Sequence, residues 1–452
     1  MSNPHGYLPS NGYMPPIQWS RRDFLRLSSL ATAGLLTGCA TNPVTGKSQL
    51  MLVSEAQEIQ MDQQHSPHQL SADYGVIQDK ALNNYIESTG KRMAARTHRT
   101  HMPYRFNGVN ATYVNAYAFP GGTIACTRGI LLSLESEAEL GALLGHELGH
   151  VNARHTAERM SKSMLTSAVV GGLAVYAGSR NSTLGGLAAQ LGMLGSGVLL
   201  ASYSRDNERQ ADDLGMEYLV GSGYGPEGMV QLMDMLKSMS NHKMDATQLL
   251  FSTHPMSDER YKTAVATARN KYSAQAKQPI HRERYMDNTA RLRKLKPAID
   301  NLQKAEAQMA KKQYGQAEAL YKKALKSAPQ DYAALVMMSK CQLAQKKYAD
   351  AGRYSTKAKA VYPAEAQGYF LDGYANYQQK KFDKALNDFD TYERRLAGNP
   401  NILFFKGACF EGKQSREKAA NQYVSYLKVV NEGPMAEHAY KRLVDWGYVQ
   451  KQ

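Results

Sequence analysis

Two histidines four residues apart, His146 and His150, enclose a glutamate at position 147. In a helix, residues four apart project from the same face, so both imidazoles can reach one metal ion. Glu147 directly follows the first histidine, where its carboxylate can hold and deprotonate a water at a zinc ion. The pattern therefore predicts metal-assisted peptide hydrolysis. On its own, a five-residue pattern of this kind also occurs by chance in surface helices.

A single helix from Glu135 to Ser161 is predicted to carry these residues, with Ser133 and Glu135 as capping residues. Gly149 is unusual inside a helix, where it costs about 1 kcal/mol relative to alanine. We expect it to let a second ligand-bearing helix or the substrate approach closely. The apolar side of the helix consists of Leu140, Leu143, Leu144, Leu148 and Val151.

A catalytic zinc ion takes three protein ligands and keeps one position open. The longer metzincin pattern requires a histidine at position 156, which is a threonine here, so that class is excluded. His155 is expected to point away from the ligand face. Glu208 and Asp212 share one face of a second predicted helix, so one carboxylate can bind the metal while the other orients a ligand histidine. Alternatively, both belong to a solvated, charged helix.

These residues and their neighbours resemble the HtpX/Oma-type gluzincin metallopeptidases. The resemblance covers roughly residues 41–270 and implies that His146, His150 and Glu208 bind one zinc ion, with Glu147 as the general base. The segments that carry it are residues 42–47, 115–122, 145–150, 203–212 and 253–255.

The same resemblance implies a substrate strand and a further histidine near the metal. Asn115, Ala116 and Tyr117 lie in a segment similar to the strand that lines the cleft in this family, and we expect the substrate to add to it as an extra strand. His254 precedes a proline and has three possible roles: a structural residue, a donor to the oxyanion, or a latch on the open zinc position. The substitution His254→Ala should lower activity for a donor and raise it for a latch.

The N-terminus predicts export to the cell envelope. Arg21 and Arg22 form a twin-arginine export signature, and an apolar stretch at residues 27–36 follows that is too short to span a bilayer of about 30 Å. Residues 36–39 resemble a lipobox, which predicts a lipid on Cys39. Ala40 favours the outer membrane over the inner membrane. In this compartment, nucleic acid is not an expected partner.

Residues 164–201 carry a single charge, Arg180, and are rich in glycine. They form either a membrane hairpin or helices that cover the active site. The two apolar runs are shorter than the roughly 20 residues of a membrane span. We therefore favour the covering helices.

The second half has a period of 34 residues and resembles the tetratricopeptide repeat. Residues 281–452 hold 31 Lys and Arg against 18 Asp and Glu, within a total net charge of +15, so an anionic partner or a membrane surface is plausible. Cys341 and Cys409 are two repeats apart and should not form a disulfide. The other two of the four cysteines are Cys39 and Cys126, so no disulfide scaffold is expected. Small residues recur at equivalent positions, namely Ala317, Ala351, Ala385 and Ala419.

The sequence thus predicts a mainly α protein: an α+β zincin domain with a small sheet, followed by an α-solenoid. The predicted boundaries are a signal peptide at 1–38, a peptidase domain at 39–275, a linker helix at 276–300 and repeats at 301–452. Resemblance to periplasmic BepA-like members with C-terminal repeats implies a zinc endopeptidase that degrades misfolded or stalled outer-membrane proteins. Its repeats would dock a client or an assembly partner. The alternative is a chaperone or assembly scaffold whose metal site is latent or structural.

Overall fold

A computed structural model describes residues 39–170, 202–242 and 245–450. The predicted export signal at 1–38 and most of the predicted covering helices at 164–201 lie outside these ranges. Within them, none of the helices combines the length and the apolar character that crossing a membrane requires.

The strands in the described ranges are short and form two small sheets. In the first sheet, β1 (Cys39–Thr41) pairs antiparallel with β2 (Ser48–Leu50). The second sheet contains β3 (Arg105–Val109), β4 (Ala116–Ala118) and β5 (Thr123–Thr127), in the order β3-β5-β4. β5 is parallel to β3 and antiparallel to β4, so β4 lies at an edge of this sheet.

Helices surround the second sheet, and the long helix that carries His146 and His150 lies in the middle. Every residue of that helix is buried. The helices of the N-terminal region, residues 39–294, begin with α1 (Glu55–Ala72), α2 (Lys80–Ala94), α3 (Arg128–Ser133), α4 (Glu137–Asn152) and α5 (His155–Val170). They continue with α6 (Arg205–Gly221), α7 (Glu227–His242), α8 (Gln248–Thr253), α9 (Asp258–Asn270) and α10 (Arg282–Lys294).

The prediction of one helix from residue 135 to residue 161 is wrong. α4 begins after the N-cap Ser136, whose side chain accepts a hydrogen bond from the Glu139 amide, and it ends at Asn152. Arg154 then adopts a left-handed conformation with φ of 59°. Its guanidinium is held by Glu58 at 3.1 Å and by the carbonyl of Val53 at 2.7 Å, and these distant contacts turn the chain before α5 begins.

Gly149 allows another part of the protein to approach closely, as predicted, and that part is the second ligand-bearing helix, α6. A Cβ atom there would lie 2.9 Å from the Cα and carbonyl oxygen of Ala211 on α6, a distance that real Cβ atoms do not reach. Gly215 on α6 is equally close to α4, because its Cβ would lie 2.9 Å from the backbone nitrogen of His146. The two ligand-bearing helices therefore cross at backbone contact distance.

A helix occurs where the linker was predicted, and it packs closely on the N-terminal region. The Tyr285 ring is fully buried, and its hydroxyl donates to the carbonyl of Leu131 at 2.6 Å. Arg293 on the same helix, α10, donates to the carbonyl of Leu134 at 2.6 Å. The domain limits at residues 275 and 300 stay predictions.

Pairs of antiparallel helices form the repeat array, residues 296–445. Its four predicted alanines are all fully buried, and the small residues opposite them leave room for aromatic rings, as at Gly373 beside Phe389. A mainly α fold with an α-solenoid is thereby confirmed, and Cys126, Cys341 and Cys409 are free and buried. The helices are α11 (Lys296–Ala310), α12 (Tyr314–Ser327), α13 (Tyr332–Ala344), α14 (Tyr348–Val361), α15 (Gln367–Gln378), α16 (Phe382–Arg395), α17 (Pro400–Gly412), α18 (Arg416–Leu427) and α19 (Pro434–Asp445).

Candidate metal centre

Four side chains from three parts of the N-terminal region converge at one buried point. His146 and His150 come from α4, Glu208 comes from α6, and His254 caps the C-terminus of α8. One ligand atom from each lies within 4.8 Å of the others. Their exposed fractions are 5%, 2%, 0% and 7%, respectively. The structure thus brings together the three predicted ligands and adds His254 as a fourth donor.

Within this cluster, the potential metal-ligand atoms face one another at short distances. The Nε2 atoms of His146 and His150 are 3.1 Å apart, and Nε2 of His150 is 3.4 Å from Oε1 of Glu208. The Nδ1 atom of His254 lies 3.1 Å from the same carboxylate oxygen and 3.4 Å from Nε2 of His146.

Asp212 orients His146, as its spacing from Glu208 predicted. Oδ1 of Asp212 is 2.9 Å from Nδ1 of His146. A carboxylate only accepts hydrogen bonds, so Nδ1 carries the proton and Nε2 is left with a free lone pair. The guanidinium of Arg260 holds Asp212 in turn, with two hydrogen bonds of 2.7 Å. Burial alone would raise the pKa of Asp212, but Arg260 outweighs it and holds that pKa below its ordinary value.

His155 is not among the clustered ligand atoms, in line with the prediction that it lies off the ligand face, but it contacts His150 from behind and orients it. The break after Asn152 turns α5 back toward α4, so that Nδ1 of His155 lies 2.9 Å from Nδ1 of His150. The side-chain oxygen of Gln210 accepts a hydrogen bond from Nε2 of His155 at 3.0 Å. Nδ1 of His155 is then an acceptor, so His150 donates through Nδ1 and keeps a free lone pair on Nε2.

The Nε2 atoms of His146 and His150 are 3.1 Å apart, and each carries a free lone pair. Two such lone pairs repel each other unless a cation lies between them. Three imidazole nitrogens and a carboxylate oxygen form a donor set that suits zinc, and both ligand histidines have the outer partners that metal-binding histidines use. Burial holds the pKa of His150 well below its ordinary value, which favours the neutral, metal-binding form. The residues present therefore fit a zinc ion.

Arg260 contacts the candidate site, although nothing in the sequence marked it. Besides Asp212, its guanidinium lies 2.7 Å from Oε2 of Glu208, so one buried cation binds both carboxylates. Burial alone would raise the pKa of Glu208, but the neighbouring imidazoles of His254, His150 and His146 outweigh it and hold that pKa well below its ordinary value. Glu208 is therefore an anion at neutral pH, as a metal ligand must be.

Glu147 lies beside this cluster and keeps one carboxylate oxygen free of hydrogen bonds to the described residues. Its Oε2 atom is buried and has no hydrogen-bond partner among the described residues, and its Oε1 atom is 4.0 Å from Nε2 of His254. Burial raises the pKa of this carboxyl despite the nearby charges of His254 and His146. A buried carboxylate with raised pKa and a free oxygen is suited to accept a proton.

The predicted substrate strand lies at the sheet edge but is covered. Ala116 and Tyr117 on β4 are 1% and 8% exposed, and the backbone amide of Val114 donates to the carbonyl of Ala246 at 2.8 Å. The side-chain oxygen of Asn115 is buried without a hydrogen-bond partner in the described part of the chain. Buried polar atoms normally have partners, so this amide is a candidate contact for a bound peptide.

Comparison with known proteins relates the part of the chain that holds this site to a peptidase family. The sequence profile of peptidase family M48 matches residues 80–268, which contain all four metal-binding candidates. The chain carries a peptidase family M48 domain. A tetratricopeptide repeat profile matches residues 308–366, so repeats follow the M48 domain.

Three bacterial proteins are among the relatives that are similar to the M48 domain and its surroundings. The beta-barrel assembly-enhancing protease of Escherichia coli (strain K12) is 30% identical over 234 residues, which are 51% of this chain and 47% of the relative. Its namesake from Yersinia pestis is 29% identical over 245 residues, covering 53% and 49%. The metalloprotease LoiP of Escherichia coli (strain K12) is 26% identical over 250 residues, covering 52% and 92%. The chain thus matches about half the length of the first two relatives.

Proposed function

We propose that this protein is a zinc-dependent endopeptidase of the bacterial cell envelope. The observation that carries the proposal is the convergence of His146, His150 and Glu208 at one buried point, beside a Glu147 oxygen that has no hydrogen-bond partner among the described residues. The M48 domain and the peptidase names of the relatives support the same chemistry.

In this proposal, His146, His150 and Glu208 hold one zinc ion per chain. Zinc supplies Lewis acidity, which polarises a peptide carbonyl and acidifies water. Glu147 takes the proton from the attacking water and delivers it to the leaving amine nitrogen. Asp212 and His155 keep the imidazoles of His146 and His150 turned toward the metal.

The substrate would bind along β4 as an added strand. β4 is an edge strand, and the side-chain oxygen of Asn115, next to Ala116 and Tyr117, has no hydrogen-bond partner among the described residues. An added strand is held mainly by main-chain hydrogen bonds, so the enzyme should accept many sequences, provided that they are unfolded.

We infer that His254 is a latch that keeps the enzyme latent. Zinc sites with four protein ligands are closed, whereas catalytic sites keep one position for water. Residues 245–254 supply the fourth donor, and in the same stretch the carbonyl of Ala246 holds the start of the β4 segment. Movement of this one segment would open the metal and uncover the substrate strand together.

The proposed location is the periplasm, where a lipid on Cys39 would anchor the protein in the outer membrane after export through a twin-arginine signal at 1–38. The proposed substrates are misfolded or stalled outer-membrane proteins, which agrees with relatives named beta-barrel assembly-enhancing proteases. The repeats would bind the client or a protein of the assembly machinery.

One observation favours a second candidate function. With His254 included, the four donors form the closed set of a structural zinc site. A chaperone or assembly scaffold with an idle metal site would have the same geometry.

A degradation assay with casein or an unfolded porin separates the two candidates. Wild type, Glu147→Gln and His254→Ala are compared, with zinc content measured for each. We expect one zinc per chain in wild type and Glu147→Gln, no proteolysis by Glu147→Gln, and faster proteolysis by His254→Ala. One zinc per chain without proteolysis in any variant would favour the scaffold.

A further inference from the structure

The two edges of the repeat array differ in what they contact. The turns between successive repeats face the N-terminal region: Asp331 pairs with Arg128, and the carbonyl of Val361 accepts a hydrogen bond of 2.9 Å from Gln78. In a stack of antiparallel helix pairs, the turns inside each repeat lie at the other ends of the helices. The edge formed by those inner turns therefore points away from the M48 domain.

Lysines recur at this outer edge with the period of the repeat. The inner turns are residues 311–313, 345–347, 379–381 and 413–415, and each contains one or two exposed lysines. We call these side chains the lysine rim; they are Lys311, Lys312, Lys346, Lys347, Lys380, Lys381 and Lys413.

The rim is strongly positive even when its acidic neighbours are included. Lys347 pairs with Glu318 at 2.9 Å, and Lys413 pairs with Asp383. The other five rim lysines form no ion pair with a residue that the structure describes. Together with the first turns of the helices that follow, the rim holds eleven Lys and Arg against four carboxylates within residues 311–318, 345–353, 379–384 and 413–418.

Three of these lysines occupy a backbone position that normally favours glycine. Lys312, Lys346 and Lys380 have φ values of 57°, 59° and 58°, and Gln414 at the equivalent place in the fourth repeat has 61°. Residues that end helices in this left-handed conformation are usually Gly or Asn, because a Cβ atom is strained there. A lysine at three such positions keeps a charge at a conformational cost, which indicates that the charge is used.

We propose that the lysine rim lies against an anionic phospholipid surface. A protein partner would need aliphatic or aromatic anchors at the centre of its contact. Among the described residues, the large exposed hydrophobic side chains lie outside the four inner turns; they are Leu52, Val424, Val429, Tyr448 and Val449. A row of flexible point charges instead matches a layer of phosphate headgroups, and the field of such a layer attracts each nearby lysine.

Vesicle flotation tests the proposal with the full chain, carrying Cys39→Ser throughout so that no acyl chain contributes. The vesicles contain either phosphatidylethanolamine with phosphatidylglycerol or phosphatidylcholine alone. The rim variant combines Lys312→Gly, Lys346→Gly and Lys380→Gly. The control combines Lys326→Gln, Lys357→Gln and Lys428→Gln, which removes the same charge from exposed positions outside the rim.

We expect binding to phosphatidylglycerol vesicles that falls with added salt, and that is about tenfold or more weaker in the rim variant but little changed in the control. The rim variant should also unfold at a higher temperature, because glycine relieves the left-handed positions, so misfolding cannot explain its weaker binding. Gln414→Lys, which adds a lysine at the fourth equivalent position, should strengthen binding. Glu147→Gln should bind as wild type does.

Three results would overturn the proposal. Equal weakening in the rim variant and the control would show that only net charge matters. Equal binding of wild type to both vesicle types would exclude headgroup charge as the cause. Binding to soluble polyglutamate without binding to phosphatidylglycerol vesicles would instead assign the rim to an acidic protein.

Discussion

The hydroxyl of Tyr117 on β4 donates a hydrogen bond of 2.5 Å to the carboxylate of Asp73, directly after α1. Residues close to Asp73 on either side contact the repeats. Ser71 forms a hydrogen bond with Glu365, and the ring of Tyr74 lies 4.8 Å from the ammonium of Lys340. One buried carboxylate thus connects the proposed substrate strand to the repeat array.

Tyr117→Phe should weaken substrate binding. The substitution removes a hydrogen bond to a buried carboxylate, which costs about 1–3 kcal/mol of stability, and frees the strand from the repeats. Tyr113→Phe is the matched control, since Tyr113 donates to the other oxygen of Asp73 at 2.7 Å but lies outside β4. We expect similar losses of thermal stability, with a change in KM only for Tyr117→Phe. Equal KM effects would contradict a specific role of the strand.

Arg260→Leu should lower metal affinity about 10- to 100-fold, as measured by competition with a chromogenic chelator. It leaves Glu208 and Asp212 buried without their shared cation, a change that typically costs about 3–5 kcal/mol of stability. Arg260→Lys should recover only part of the loss, because an ammonium cannot bind both carboxylates in the same fork geometry. Arg209→Gln is the control, since the partners of Arg209 in the described part of the chain are exposed carboxylates, those of Asp206 and Glu259. Unchanged metal affinity in Arg260→Leu would contradict the positioning role.

The sequence revealed the parts of the site that depend on local spacing. His146 and His150 are four apart on α4, and Glu208 and Asp212 are four apart on α6, so a helical assumption alone places each pair on one face. The 34-residue period likewise determines which small residues of the array are buried.

The missed residues depend on contacts between distant parts of the chain. Arg260 meets Asp212 across 48 residues, and no local pattern marks it. His155 reaches His150 only because Arg154 turns the chain, and Arg154 is held by Glu58, 96 residues earlier. A sequence pattern without these partners predicts one continuous helix and therefore misses the contact between His155 and His150.

Gly149→Ala should disturb the metal site by pushing α4 and α6 apart. The new Cβ would meet the backbone of Ala211 at 2.9 Å, and such overpacking typically costs about 1–3 kcal/mol. We expect a lower Tm and weaker zinc binding, because Glu208 and Asp212 on α6 move with the helix. Gly221→Ala on the same helix is the control, since its Cβ would lie 3.9 Å from the nearest atom and should be tolerated. A Gly149→Ala variant with wild-type Tm and zinc affinity would contradict the close crossing.

The contact between the array and the N-terminal region should become more stable as the pH rises above about 8. Burial lowers the pKa of Lys340 to about 8, although Glu306, Glu365 and Asp73 attract its charge. In the unfolded chain, lysine titrates near pH 10.4, so between about pH 8 and 10.4 the unfolded state binds more protons, and the free energy of unfolding increases with pH. Below pH 8, Lys340 is charged in both states and the folded protein carries the full cost of the buried ammonium.

Lys340→Met removes this titration, so the Tm of wild type should rise relative to that of the variant between pH 8 and pH 10. Thermal unfolding measured across this range gives the difference directly, because groups common to both proteins cancel. Lys326→Met, at an exposed position of the same array, should follow wild type at every pH. Parallel Tm curves for wild type and Lys340→Met would show that Lys340 keeps an ordinary pKa, and that its charge is solvated at the contact between the array and the M48 domain.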